Sequence, residues 1–186
     1  MKAKTLMFIV ILIFVLIMPK AFAMDKLGLL IAAHGSPLPQ WNDPVLKLEN
    51  EVKQIITEKY YDYFIEIRVA FMEFCEPSIN TVIVDMEDKG IDRIYVLPLL
   101  IAPSGHSQYD IPAILGLYND KNIVENIREE GTIIVDSKAK ITVGPTLHWG
   151  DILKEIMLDR VKELSTTPDS EGVVLLAHGD SNFHTI

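Results

Sequence analysis

The chain has 186 residues, a length that suits one domain, or one domain and a fragment of another. Apolar residues make up 49% of it, enough for a packed core, while acidic side chains outnumber basic ones 26 to 17. This balance argues against a phosphate backbone as partner, so no nucleic acid is expected, and the single cysteine, Cys75, excludes an intrachain disulfide.

Lys2 and Lys4 precede an unbroken apolar run from Leu6 to Met18, which is followed by Pro19, Lys20 and Ala21-Phe22-Ala23. A basic start, a short apolar stretch and small residues beside a large one form the pattern of a secretory signal peptide. The run has 13 residues, against about 20 for a membrane span. Cleavage after residue 23 and export, to a periplasm, are therefore expected, with an uncleaved anchor as the alternative. The remaining chain carries 14 basic and 26 acidic side chains, a net charge of −12. Any acidic ligand must then find local donors.

From Leu27 onward apolar runs alternate with stretches at helical spacing. Leu27–Ala33 reads as a buried strand closed by His-Gly-Ser-Pro. Asn42 and Asp43 can cap a helix with Pro44 at its first position, and Val45, Leu48, Val52, Ile55 and Ile56 form its apolar face. Residues 64–71 read as a second strand. Pro77 opens a second helix with Ile79, Val82, Ile83 and Met86 inward, and Gly90 ends it. Residues 93–100 are too apolar for a sheet edge. A helix is expected from Ile111 to about Arg128, beginning at Pro112. An extra strand or hairpin is weighed for 131–140, then a short strand over 141–143. A helix over 151–164 should turn Ile152, Leu153, Ile156, Val161 and Leu164 inward. Strand and helix alternating in units of about 30 residues predict an α/β class, a doubly wound, three-layer parallel sheet with right-handed crossovers. Cys75, near a strand end, is expected to be a buried, inert thiol.

Residues 28–36 read GLLIAAHGS and residues 172–181 read GVVLLAHGDS. The recurrence suggests a duplicated lobe. Residues 24–165 would form the first lobe, and 166–186 a linker and the first strand of a truncated second repeat.

In an open parallel sheet, ligands bind beyond the carboxyl ends of the strands. The first strand delivers His34, the second Glu73 and Glu76, the third Pro103-Ser104-Gly105-His106, and the fourth Gly144 to His148. Two histidines and two glutamates on one rim suit metal or acid–base chemistry. Duller roles stand beside these: His148 at a helix entry, Glu73 as a solvated loop carboxylate, Glu76 as helix N-terminal chemistry.

The segments LLIAAHGSP (29–37), VAFMEFCEPSI (69–79), DRIYVLPLLIAPSGHSQYDIPAIL (92–115) and ITVGPTLHWGDILKEIMLDRV (141–161) together resemble the CbiX family of sirohydrochlorin chelatases. The resemblance implies paired α/β lobes and insertion of Co²⁺, or in some members Ni²⁺ or Fe²⁺, into sirohydrochlorin. It implies His34 and His106 as metal ligands, with His34 and Glu76 catalytic. Glu73, Glu76 and the segment Leu100, Ile101, Ala102, Pro103, Ser104 and Gly105 would bind the tetrapyrrole. No permanently bound cofactor is implied, since the divalent metal is a substrate. Two pyrrolic N–H protons must leave as the metal enters, which calls for a base and a positioned metal. Imidazole binds metal only when deprotonated, so activity should fall below about pH 6.5. A single lobe is expected to form a homodimer so that two rims make one cleft. An exported carrier of metal or tetrapyrrole is the competing reading. A phosphohydrolase is set aside, because Ala33 stands where an arginine before the histidine would be needed.

Overall fold

Four strands, β1 (Leu27–Ala33), β2 (Glu66–Phe71), β3 (Arg93–Pro98) and β4 (Lys140–Val143), form one parallel sheet in the order β2-β1-β3-β4. The structure, a computed structural model, describes residues 26–60 and 63–176; the expected signal peptide and the second Ala-His-Gly lie outside them. Among the described residues no helix is long and apolar enough to cross a membrane.

β1 is apolar throughout because both of its faces are covered. Leu29, Ile31 and Ala33 point to one side, Leu30 and Ala32 to the other, the period of two that a strand imposes. On the first side lies α1 (Pro39–Tyr60), packed through Val45, Leu48, Val52 and Ile56. On the second lie α2 (Ile79–Asp88), α3 (Ile111–Ile114) and α4 (Lys121–Glu129). The buried residues of α2 are Ile79, Val82, Ile83 and Met86, the face its spacing predicts. Its start is capped by Ser78, whose hydroxyl accepts from Thr81 N, and Gly90 beyond its end has φ 78°.

Several boundaries differ from the sequence expectation, each for a physical reason. α1 begins at Pro39, not after Asp43, since Pro39 is equally suited to a first turn. Pro44 is thus inside the helix, where it can offer no N–H to the Gln40 carbonyl. The helix expected over 111–128 is broken in two: Gly116 turns the chain with φ 70°, and the Asp120 carboxylate accepts from Asn122 N and Ile123 N to start α4 afresh. No strand forms over 131–139, although Val135 is buried and bonds to the Ile114 carbonyl. Cys75 is half-buried rather than enclosed.

The largest departure concerns α5 (Ile152–Leu164). It has no buried residue, and Ile152, Ile156 and Leu164 are exposed where an inward face was expected. After it, Glu171 accepts from Ser165, Thr166 and Thr167 and closes the linker on itself. These bonds, that from Ser165 first, hold the Glu171 carboxyl down to about 2. Residues 171–176 then run without regular structure, with Val173 to Leu176 exposed.

Candidate functional site

The chain leaves β1 for β2 on one side of the sheet and crosses back to β3 on the other. The strand order therefore reverses between β1 and β3, and the crevice beyond their carboxyl ends is where such sheets bind ligands. His34 follows β1 directly. The β1–β2 ladder continues past the strand ends through Met72 N to the Ala33 carbonyl and Glu73 N to the His34 carbonyl, which brings Glu73 beside His34. Close approach of the two loops depends on Gly35. Its φ is 94°, and a Cβ built there would lie 2.1 Å from the Glu73 carbonyl oxygen.

β3 runs on through Leu99, whose N–H bonds to the Ala32 carbonyl, into the 100–105 loop. That loop ends in a π-helical turn, His106–Asp110, which continues into α3. Single π turns of this kind are often found at functional sites. The turn places the His106 ring 4.8 Å from the His34 ring, centroid to centroid, nearly edge-on at 79°. Both predicted histidines thus meet, although 72 positions separate them in the chain.

Each ring is held by a carboxylate. His34 Nε2 is 3.0 Å from Glu73 Oε1, and Glu73 is only 18% exposed against 42% for His34. The opposite nitrogen, Nδ1, is 3.0 Å from the Gly35 carbonyl, which can only accept. His34 Nε2 and the Glu73 carboxylate therefore stand within hydrogen-bond reach of one another at the strand ends. His106 Nδ1 is 2.7 Å from Asp110 Oδ2. The Asp110 carboxylate accepts from Nδ1, a carboxylate–histidine pairing of the kind common behind metal ligands. Among the described residues no three histidine, cysteine or acidic groups are arranged as a finished metal cage. The hydrogen-bonded pairs form an open two-histidine site with a carboxylate at hand, suited to transient handling of a metal.

The other predicted residues are distributed around this centre. Glu76 is exposed, and its Oε2 accepts from Ser78 N at 2.6 Å at the start of α2. Leu100 packs against the core and its carbonyl accepts from Leu147 N. Ile101 and Ala102 are exposed, while Pro103, Ser104 and Gly105 are half-buried. Ser104 is tied to Ser107 by two hydrogen bonds, which brace the π turn. His148 bonds to the buried Thr146 hydroxyl. Beside the histidines, a 210 Å³ cavity is lined by Glu73, His106, Asp110, Glu130 and Thr132. A 470 Å³ cavity adjoins it, sharing Glu73, Glu130 and Thr132 and bounded by Phe74, Cys75 and Glu76.

Asp110 and Phe74 stand against the two histidines of this candidate site and were missed in the sequence reading. Asp110 stands four residues after His106, a helical spacing that could have revealed it had the helix been expected to start before Pro112. Phe74 faces His34 at 5.9 Å and has φ 69°. That conformation costs a side-chain-bearing residue about 1–2 kcal/mol, and no residue pattern announces it.

A sequence model of the CbiX family matches residues 28–164. A protein named sirohydrochlorin cobaltochelatase from Saccharolobus solfataricus is 32% identical over 137 residues, covering 74% of this chain and 94% of its own. One of the same name from Methanococcoides burtonii is 31% identical over 141 residues, covering 75% and 98%. Among solved structures, the sirohydrochlorin chelatase SirB from Bacillus subtilis subspecies spizizenii, in complex with cobalt, superposes with a TM-score of 0.54 at 20% identity, over 77% of this chain and 56% of that one. A CbiX protein from Marinobacter aquaeolei gives 0.50 at 24% identity, over 74% and 96%. At these identities the structural matches establish a shared α/β fold.

Proposed function

The chain belongs to the CbiX family, and on that premise we propose that it is a chelatase that inserts a divalent metal into sirohydrochlorin. The observation that carries this reading is the meeting of His34, Glu73 and His106 at the switch point of the sheet. Co²⁺ is the metal favoured by the names of the relatives, with Ni²⁺ and Fe²⁺ compatible with the same nitrogen and oxygen donors.

In this mechanism the two imidazoles hold the metal and leave coordination positions open for the macrocycle. Asp110 fixes the His106 ring with Nε2 toward the metal. Glu73 takes up protons that the metal and the macrocycle release, being already within hydrogen-bond distance of His34. Glu76, on the same loop but turned to Ser78, is assigned to the rim of the tetrapyrrole site rather than to the proton path. The exposed Ile101 and Ala102 offer apolar surface to the ring system, with Leu100, Pro103, Ser104 and Gly105 as the segment that carries them. Export to a periplasm and pairing of two chains belong to the same proposal. Pairing is supported by the exposed apolar face of α5.

The discriminating experiment uses catalytic amounts of the purified chain, excess Co²⁺ and sirohydrochlorin, and follows product absorbance. Many product molecules per protein chain are expected. Product that stops at one equivalent and stays bound would replace the chelatase by the carrier.

A further inference from the structure

Phe74 combines two features that each oppose the ordinary preferences of its side chain. The residue is 61% exposed, although a large apolar side chain gains from burial. Its backbone, at φ 69°, is the one non-glycine residue with positive φ among the described residues. Conformations of this kind concentrate where a ligand is held. With the backbone in this left-handed conformation, the ring stands 5.9 Å from that of His34 and 32° from parallel. Phe74 also bounds the 470 Å³ cavity that adjoins the histidine pair.

This inference rests on the chelatase reading. An imidazole that passes a metal to the face of a macrocycle holds its own plane upright on that face. The Phe74 ring lies beside His34, tilted 32° from its plane. From there it can offer its positive edge to the π surface of a flat conjugated ring that approaches His34, a favourable aromatic geometry. We infer that Phe74 is a substrate-binding residue that contacts the tetrapyrrole directly and sets its position over His34.

The test compares the full chain with Phe74→Gly and Phe74→Tyr, measuring KM and direct binding of sirohydrochlorin, Co²⁺ affinity without macrocycle, and melting temperature. Phe74→Gly should weaken macrocycle binding about tenfold, the size of one aromatic contact. It should leave Co²⁺ affinity unchanged and the melting temperature equal or higher, since glycine relieves the backbone strain. Phe74→Tyr should restore binding. Unchanged macrocycle affinity in Phe74→Gly would overturn the inference. So would a parallel loss of Co²⁺ affinity, which would mean that Phe74 acts through His34. A parent chain that turns over sirohydrochlorin while Phe74→Gly matches it sinks this inference alone, whereas a parent chain that binds no macrocycle sinks the chelatase reading itself.

Discussion

At Gly35 a single added carbon decides whether the site can form. Gly35→Ala forces a Cβ into the Glu73 carbonyl and demands a left-handed alanine, so a stability loss of about 1–3 kcal/mol is expected in urea unfolding. Displacing the Glu73 backbone also separates its carboxylate from His34, and Co²⁺ affinity should fall with it. Asp110 acts more selectively. Asp110→Ala should lower Co²⁺ affinity about 10- to 100-fold in calorimetric titration, with little change in melting temperature, because Asp110 touches the ring and not the core. Asp110→Asn keeps an oxygen for Nδ1 and should lose less. Equal affinities for all three proteins would remove Asp110 from the site. His34, Glu73 and His106 were legible from residue type and strand-end position. Which carboxylate meets which ring was not, because it depends on the backbone path of the 72–78 loop.

The elements around the site were legible to the extent that their partners are local. β1 and α2 match their expected faces: Leu29 to Ala33 are buried on both sides of the sheet, and Ile79, Val82, Ile83 and Met86 form the one buried stripe of α2, with Val84 left outside. The 106–129 region was misjudged, because an apolar period continues across Gly116 while the backbone does not. One joint between elements makes a separate prediction. Glu87, near the end of α2, accepts from Ser137 Oγ and from Lys138 N and Ala139 N, binding the loop before β4. Burial opposes ionisation of Glu87, but these hydrogen bonds outweigh it and hold its carboxyl below the ordinary 4.5. Asp85 is likewise held below 3.8, chiefly by its bond to Lys89 and despite some burial, with Arg68 adding to it. Both folded-state values lie below the unfolded ones. Their contribution is thus present above about pH 4.5 and drains away as pH falls through the lowered values. Glu87→Gln should cost about 1–3 kcal/mol at pH 7. The difference from the parent chain should shrink at pH 3, and a difference that grows on acidification would contradict this assignment.

At the scale of the whole molecule, the fold positions the histidine–carboxylate rim at a strand-order reversal and leaves α5 with its apolar side chains in solvent. Periodicity in the sequence shows that the face of α5 suits burial, but it carries no information on what covers it. If two chains pair there, Ile156→Glu and Leu164→Glu should shift the mass in solution from dimer to monomer. An unchanged monomeric mass for the parent chain would end the pairing proposal without touching the site. The internal likeness of 28–36 and 172–181 is plain in the sequence, while the described part of the second segment, 172–176, is exposed and without regular structure.

On the proposed reading, His34 and His106, brought together by β1 and the turn after β3, hold the metal that is inserted. The deciding measurement is the rate of Co²⁺ insertion into sirohydrochlorin by the parent chain, His34→Ala and His106→Ala, with Co²⁺ affinity measured on the same samples. Turnover by the parent chain, and loss of both turnover and tight Co²⁺ binding in each variant, is the predicted result. Insertion at the parent rate in either variant, with folding intact, would contradict it.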